Sequence, residues 1–155
     1  MFDSLTIPNH LFWAQGKGGI PVAYINNRYA TATVSLLGGQ VLSYEPHGKR
    51  PVLWLSETAH FRVGKAIRGG VPVIWPWFGA HATDASLPSH GFARTMMWEA
   101  ASSAELDNGA TQLQLTLTDN EQTRALWPHA FRLNLTVTVD EQLHVALTVE
   151  NNGST

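Results

Sequence analysis

The clearest pattern in the sequence is the alternation of apolar and polar positions in its last third. Residues 111–118, 131–139 and 143–149 each place an apolar side chain at every second position. This period of two is typical of antiparallel strands that pack on a core with one face. The three residues between the last two segments, Asp140-Glu141-Gln142, are a hairpin-length connection. We therefore expect three consecutive antiparallel strands in this region.

Weaker patterns extend the β prediction toward the start of the chain. Residues 29–39 are rich in Thr and Val and end at two glycines, and residues 40–48 follow them as a further apolar segment. Helix signals are sparse: Ser56–Ala59 could form one short turn, and Asp119–Pro128 could hold another that ends at the proline. The sequence therefore predicts a mostly β protein, an antiparallel β-sandwich with residues 1–155 in a single domain.

Composition and charge narrow the class of protein. The chain has 155 residues, of which 44% are hydrophobic and 14% charged, and its net charge is −2. Because it has no polybasic segment and no long apolar run, neither nucleic acid nor a membrane is an expected partner. It has no cysteine, which excludes disulfides and thiol catalysis. The first ten residues lack a signal-peptide pattern, so we expect a cytoplasmic protein.

The segment from Ile67 to Arg94 carries the candidate chemistry. Arg68 precedes two glycines, which would let the backbone and the guanidinium approach an anion closely. Arg94 ends the segment, and Asp84 is the only carboxylate between the two arginines. A phosphate or sugar-acid site therefore competes with the alternative that both arginines are solvated or bridge a distant carboxylate.

Aromatic residues and prolines fill the middle of this segment. Trp75, Trp77 and Phe78 lie around Pro76. Prolines at this density exclude a regular central strand. The rings could form a rigid wall that suits the apolar face of a sugar, or they could simply belong to the core.

Histidines are the remaining candidates. His81, Asp84 and His90 match no compact metal-ligand spacing, so no metal site is predicted. His90 lies four residues before Arg94 and could donate to a ligand hydroxyl or ring oxygen, although a structural histidine is the alternative. The sequence contains neither a phosphate-binding loop nor a dinucleotide fingerprint, and no cofactor is predicted.

The motifs of this segment carry a family resemblance. "IRGGVPVIWPWFG", followed by "LPSHGFAR", resembles the hexose-6-phosphate mutarotases, a branch of the aldose 1-epimerase or galactose mutarotase-like superfamily. "LLGGQVLSYEP" before it, and "LWPHAFRLNLTVTV" and "LTVENNGS" after it, extend the resemblance over about residues 12–155. The resemblance implies a galactose mutarotase-like supersandwich. It also implies interconversion of the α and β anomers of a hexose 6-phosphate, without a cofactor.

Residue roles follow from the resemblance position by position. It implies that Arg68 and Arg94 hold the substrate phosphate, and that His90 lies near the sugar as an auxiliary to catalysis. The residue before "HGFAR" is commonly a glutamine that touches substrate. Here it is the shorter Ser89. The substrate-binding set predicted for this chain is completed by two aromatic residues, Trp75 and Phe78.

The resemblance also implies where the acid–base pair would be. Family members run to nearly twice this length, with the main catalytic histidine just after the segment that matches "VENNGST" and the glutamate much later. We therefore expect the N-terminal half of a mutarotase, truncated at its C-terminal end, inactive alone and with unpaired strand edges that favour self-association. The alternatives are a non-catalytic module that binds carbohydrate or sugar phosphate, and a purely structural β-domain.

Overall fold

A computed structural model describes residues 2–154 of the chain, and these form two four-stranded antiparallel sheets. The first sheet contains β1 (Leu11–Gln15), β2 (Pro21–Asn26), β3 (Ala30–Ser35) and β4 (Gln40–Pro46), hydrogen-bonded in that order. The second contains β5 (Glu99–Glu105), β6 (Thr111–Thr118), β7 (Phe131–Val139) and β8 (Leu143–Asn151), also in sequence order. The prediction of a mostly β, antiparallel architecture is confirmed.

The alternating segments form the centre of the second sheet. The bounds of β6 and β7 agree with the predicted segments, and Leu135 of β7 pairs with Leu115 of β6 and Leu147 of β8. The apolar positions of β6 and β7 are buried, because both strands have neighbours and a sheet in front of them. Alternation alone was sufficient to predict these two strands.

The apolar face of β8 differs from the prediction. Its alternation indicated a face packed on the core, but Val145, Leu147 and Val149 are 37%, 39% and 50% exposed. The reason is position: β8 pairs with β7 on one side, and no strand within residues 2–154 pairs with its other edge. Self-association through strand edges stays a prediction.

The two sheets pack face to face around one main core. Polar contacts also join them: the side-chain amide of Asn27 donates to the Thr111 hydroxyl at 3.0 Å and to the Val139 carbonyl at 2.8 Å. The hydroxyl of Tyr44 donates to the Asp140 carbonyl at 3.1 Å. The arrangement is therefore a β-sandwich with specific hydrogen bonds between its layers.

Helical structure is limited to short pieces. The helix α1 (Glu121–Leu126) begins with a reciprocal cap, in which the Asn120 side chain accepts from the Thr123 backbone at 3.0 Å and the Thr123 hydroxyl accepts from the Asn120 backbone at 2.8 Å. It ends before Pro128, as predicted for this segment. Residues 56–59 form one hydrogen-bonded turn. Among the described residues, no helix is both long and apolar enough to cross a bilayer.

A long irregular connection, residues 47–98, joins the two sheets and carries the candidate site. It forms an isolated bridge to the first sheet, between Val71 and Val41 of β4, and two within itself, between Leu55 and Gly69 and between Trp75 and Gly91. Connections of this length without regular structure commonly serve a function. Its backbone is nevertheless hydrogen-bonded to the sandwich, so the Cα atoms from which its side chains project are held in place.

Candidate functional site

Hydrogen bonds to three consecutive carbonyl groups fix the backbone around Arg68. The side-chain amide of Gln40, fully buried at the start of β4, donates to the carbonyls of Ile67 at 3.2 Å and Gly69 at 2.5 Å. The carbonyl of Arg68 itself accepts from the Ser56 amide at 3.0 Å. Because all three carbonyls are held by neighbouring segments, the position of the Arg68 Cα is set by the sandwich.

The two glycines after Arg68 permit a close backbone approach. Gly69 and Gly70 have φ values of 110° and 62°, in the region that favours glycine. A Cβ at Gly69 would lie 2.5 Å from the Trp54 carbonyl oxygen, and one at Gly70 would overlap the Val41 carbonyl oxygen. No residue with a side chain could therefore replace either glycine without moving the backbone.

The Arg68 side chain itself is exposed. Its Cζ lies 5.9 Å from the centroid of the Trp54 ring. It forms an ion pair with none of the carboxylates in the described part of the chain. Its charge is therefore available to an anion from solution.

Arg94 lies in a 3₁₀ turn, Ala93–Thr95, and is partly buried. One terminal nitrogen, Nη2, donates to the Ser89 carbonyl at 2.9 Å. Its Nε is buried and has no hydrogen-bond partner within residues 2–154, and no carboxylate there pairs with the guanidinium. A buried N–H without a partner is uncommon, but because protein covers this nitrogen, an anion from solution would meet the terminal nitrogens of the guanidinium.

His90 is held by a reciprocal pair of hydrogen bonds with Gly79. Its backbone N–H donates to the Gly79 carbonyl at 2.7 Å, and its ring Nδ1 accepts from the Gly79 N–H at 3.1 Å. In the neutral ring this assigns the proton to Nε2, which can donate to a ligand oxygen. Phe78 lies edge-on to the same ring, 4.9 Å between centroids, and is 81% exposed. The structure thus brings His90 and Phe78 together.

The two tryptophans of the segment make different contacts. Trp75 packs against Phe131, Trp127 and Phe92, with centroid distances of 4.4, 4.9 and 5.6 Å. Trp77 donates its indole N–H to the Pro88 carbonyl at 2.9 Å. Both tryptophans therefore hold the segment against the rest of the protein. Of Trp75, Trp77 and Phe78, Phe78 is the exposed ring.

Gly91 brings the two motifs of the segment into contact. Its φ is 68°, and a Cβ there would overlap the Trp75 carbonyl oxygen. That oxygen accepts from the amides of Phe92 at 3.0 Å and Ala93 at 3.2 Å. The turn that carries Arg94 is therefore anchored directly on the backbone of Trp75.

The loop between Trp77 and Ser89 is organised by its own side chains. The Asp84 carboxylate accepts from the Ser86 hydroxyl at 2.6 Å and the Ser86 amide at 2.9 Å, and these hydrogen bonds lower the pKa of Asp84. The Ser89 side chain is exposed, and its contact with Arg94 is made by the backbone carbonyl. Within the described residues, no group of three or more His, Asp or Glu side chains could hold a metal ion.

Two residues near Arg68 were not predicted from the sequence. Gln40 fixes the backbone on both sides of Arg68, and Trp54 lies beside its guanidinium. The available signal was a polar residue at the start of an apolar strand, in "GGQVLSY". Its partners lie 27 and 29 residues away, so spacing could not identify them.

Together these side chains suit a particular kind of ligand. Two arginines without ion-pair partners in the described region, a histidine donor and an exposed aromatic ring all lie on the connection between the sheets, and each is a candidate contact for an anion that also carries hydroxyl groups. The β-sandwich supports this connection. The class that the fold defines is an antiparallel β-sandwich protein.

Comparison with known proteins identifies the family to which this β-sandwich belongs. The family model described as aldose 1-epimerase matches residues 22–155, and the chain belongs to this family. A Salmonella typhimurium protein named "Putative glucose-6-phosphate 1-epimerase" is 45% identical over 109 residues, covering 70% of this chain and 36% of that protein. A protein of the same name from Cenchrus ciliaris is 34% identical over 131 residues, covering 78% of this chain and 37% of the relative.

Solved structures show the same architecture. The crystal structure described as a "putative mutarotase (YeaD)" from Salmonella typhimurium matches with a TM-score of 0.87 and 37% identity, covering 93% of this chain and 48% of that one. The crystal structure of HI1317 matches with a TM-score of 0.75 and 29% identity, covering 95% of this chain and 50% of that one. The chain thus spans about half the length of these similar structures.

Proposed function

We propose that this chain is the phosphate- and sugar-binding part of a hexose-6-phosphate mutarotase, which interconverts the α and β anomers of its substrate. The observation that carries the proposal is the pair Arg68 and Arg94, neither of which is ion-paired within residues 2–154. The planar fork of an arginine matches the oxygens of a phosphate. The names of the Salmonella typhimurium and Cenchrus ciliaris relatives support a hexose 6-phosphate as the ligand.

The other side chains fit the sugar portion of such a ligand. The Nε2–H of His90 is free of the hydrogen bond that occupies Nδ1, and it can donate to the ring oxygen. Phe78 offers an exposed apolar ring next to it. In this proposal Arg68 and Arg94 bind the phosphate, while His90 and Phe78 orient the sugar. Ser89 contributes through its carbonyl to Arg94, and Trp75 supports the segment.

The reaction itself requires an acid and a base. A base removes the proton of the anomeric hydroxyl while an acid protonates the ring oxygen; the C1–O5 bond breaks, and the resulting aldehyde rotates before the ring closes again. We assign neither proton transfer to a residue of this chain, because the positions that the family resemblance gives for the acid–base pair match none of residues 1–155. We expect these 155 residues to bind a hexose 6-phosphate without accelerating its anomerisation.

Exchange spectroscopy tests this division of roles. The rate of α to β exchange of glucose 6-phosphate is measured by NMR with and without the chain, and phosphorus line broadening reports binding. We expect binding with an unchanged exchange rate. Arg68→Ala should weaken binding, whereas Arg28→Ala should not, because Arg28 stacks on Tyr29 in the turn between β2 and β3.

Each contrary result removes a specific part of the proposal. Accelerated exchange by the chain alone would show that the acid–base pair lies within residues 1–155. Equal binding by the wild type and Arg68→Ala would remove Arg68 from the phosphate site. The same exchange measurement on the natural gene product that carries this sequence separates a mutarotase from a non-catalytic sugar-phosphate-binding module, because only the former accelerates exchange.

A second copy of the chain is the partner that we propose. The support is the free edge of β8 in the described region, with the exposed side chains of Val145, Leu147 and Val149 beside it. Exposed edges of this kind template pairing with another chain. Sedimentation velocity should show a dimer that Leu147→Lys converts to monomer, and a monomer at all concentrations for the wild type would contradict self-association.

A further inference from the structure

Trp54 is an exposed aromatic residue beside Arg68 to which the proposed function assigns no role. Its side chain is 64% exposed, which is high for tryptophan. The Arg68 Cζ lies 5.9 Å from its ring centroid, within the range of a cation–π contact. The Trp54 carbonyl also accepts from the Gly70 amide at 2.8 Å. The ring and the guanidinium therefore project from two backbone segments that are bonded to each other.

The remaining freedom of Arg68 lies in its side chain. Gln40 and Ser56 hold the carbonyls of residues 67–69, so the backbone is already fixed. A long exposed side chain without a partner samples many rotamers, and binding an anion requires it to give up that freedom. The nearby Trp54 ring limits those rotamers, because it attracts the cation to one side.

We propose that Trp54 is a positioning residue for Arg68, which orients the guanidinium before a phosphate group arrives. The proposal rests on the proposed function for the identity of the anion, but the contact that carries it is present without a ligand. Because the effect acts through Arg68, it should be the same for inorganic phosphate and for a hexose 6-phosphate. It should also require an aromatic ring at residue 54 rather than any apolar side chain.

The first test observes the Arg68 side chain directly. Protons over the face of an indole are shifted upfield by its ring current, so NMR of the Arg68 side chain reports the contact without a ligand. We expect Trp54→Ala to abolish the upfield shift and Trp54→Phe to retain much of it. Val52→Ala should leave it unchanged, because Val52 is an exposed apolar residue of the same segment. Arg68 signals that are the same in the wild type and Trp54→Ala would overturn the proposal.

The second test is a double-mutant cycle on phosphate binding. We expect Trp54→Ala to weaken binding of both inorganic phosphate and glucose 6-phosphate by about two- to fivefold, the size of an exposed cation–π contact. Trp54→Phe should restore most of the affinity. The Trp54→Ala effect should vanish when Arg68→Ala is also present.

The outcomes distinguish the positioning role from the proposed function. An undiminished Trp54→Ala effect in the Arg68→Ala background would show that Trp54 does not act through Arg68, and would overturn the inference. If the wild type binds neither ligand, the proposed function fails, and the side-chain signals of Arg68 still decide whether Trp54 orients it.

Discussion

The two arginines of the candidate site are held in contrasting ways. Arg68 depends on distant residues, since Gln40 in β4 fixes its flanking carbonyls across 27 and 29 positions of sequence. The turn that carries Arg94 is anchored on the Trp75 carbonyl, and the Arg94 side chain donates to the carbonyl of Ser89 five residues earlier. Arg68 is exposed, whereas the Nε of Arg94 is buried. The backbone of both arginines is therefore fixed by distant residues, but the side chain of Arg94 is held by its own loop, whereas that of Arg68 extends into solvent.

The largest expected effect comes from breaking the close approach beside Arg68. Gly70→Ala would combine a left-handed φ with overlap of the Val41 carbonyl oxygen, and should lower the free energy of unfolding by about 2–5 kcal/mol. Gly48→Ala is the matched control, because Gly48 has a φ of 72° but nothing within 4 Å of its Cβ position. Chemical denaturation measures both. Equal losses in the two variants would show that the approach to Val41 does not matter.

Replacing each arginine with alanine distinguishes the contribution of its charge to ligand binding from the contribution of its side chain to protein stability. Arg68→Ala and Arg94→Ala should each weaken hexose 6-phosphate binding by about 1.5–3 kcal/mol, the range for hydrogen bonds to charged groups. The free energy of unfolding should change by less than about 0.5 kcal/mol for exposed Arg68 and by more for partly buried Arg94. Calorimetric titration and denaturation of the same samples test this, and equal stability losses would contradict the contrast.

Removing the Gln40 amide should affect Arg68 more than Arg94. Gln40→Met keeps the volume but leaves the carbonyls of Ile67 and Gly69 without their donor, at a cost of about 1–3 kcal/mol in unfolding free energy. In this variant the Arg68 side-chain NMR signals should move and those of Arg94 should stay. Movement of both sets would show that the two arginines share one support.

The smallest effect is expected at Ser89. Its contact with Arg94 is made by the backbone, so Ser89→Ala should change the binding free energy of a hexose 6-phosphate by less than about 0.5 kcal/mol. A tenfold loss of affinity would instead show that the hydroxyl touches the ligand.

The sequence predicted the regular part of the fold where side chains alternate cleanly. β6 and β7 were predicted with correct bounds, because large apolar residues occupy every second position. β5 was not predicted, because "EAASSAE" contains only small and charged residues and is mostly exposed. The exposure of β8 depends on what lies beside it in space, which alternation does not encode.

For the candidate site, too, the sequence predicted what is local along the chain and missed the contacts between distant residues. Arg68 and Arg94 could be selected from the sequence because the segment between them holds a single carboxylate. The support of Arg68 by Gln40 and its contact with Trp54 could not, since both partners lie outside that segment. Nor could spacing show that Trp75 is partly buried against the core while Phe78 is exposed.

The most direct test of the central claim compares two ligands on the same chain. The affinities for glucose 6-phosphate and for glucose are measured by titration at low ionic strength. If Arg68 and Arg94 form a phosphate site, glucose 6-phosphate should bind at least about tenfold more tightly, since it gains charge-assisted hydrogen bonds that glucose lacks. Equal affinities for the two sugars would contradict the account.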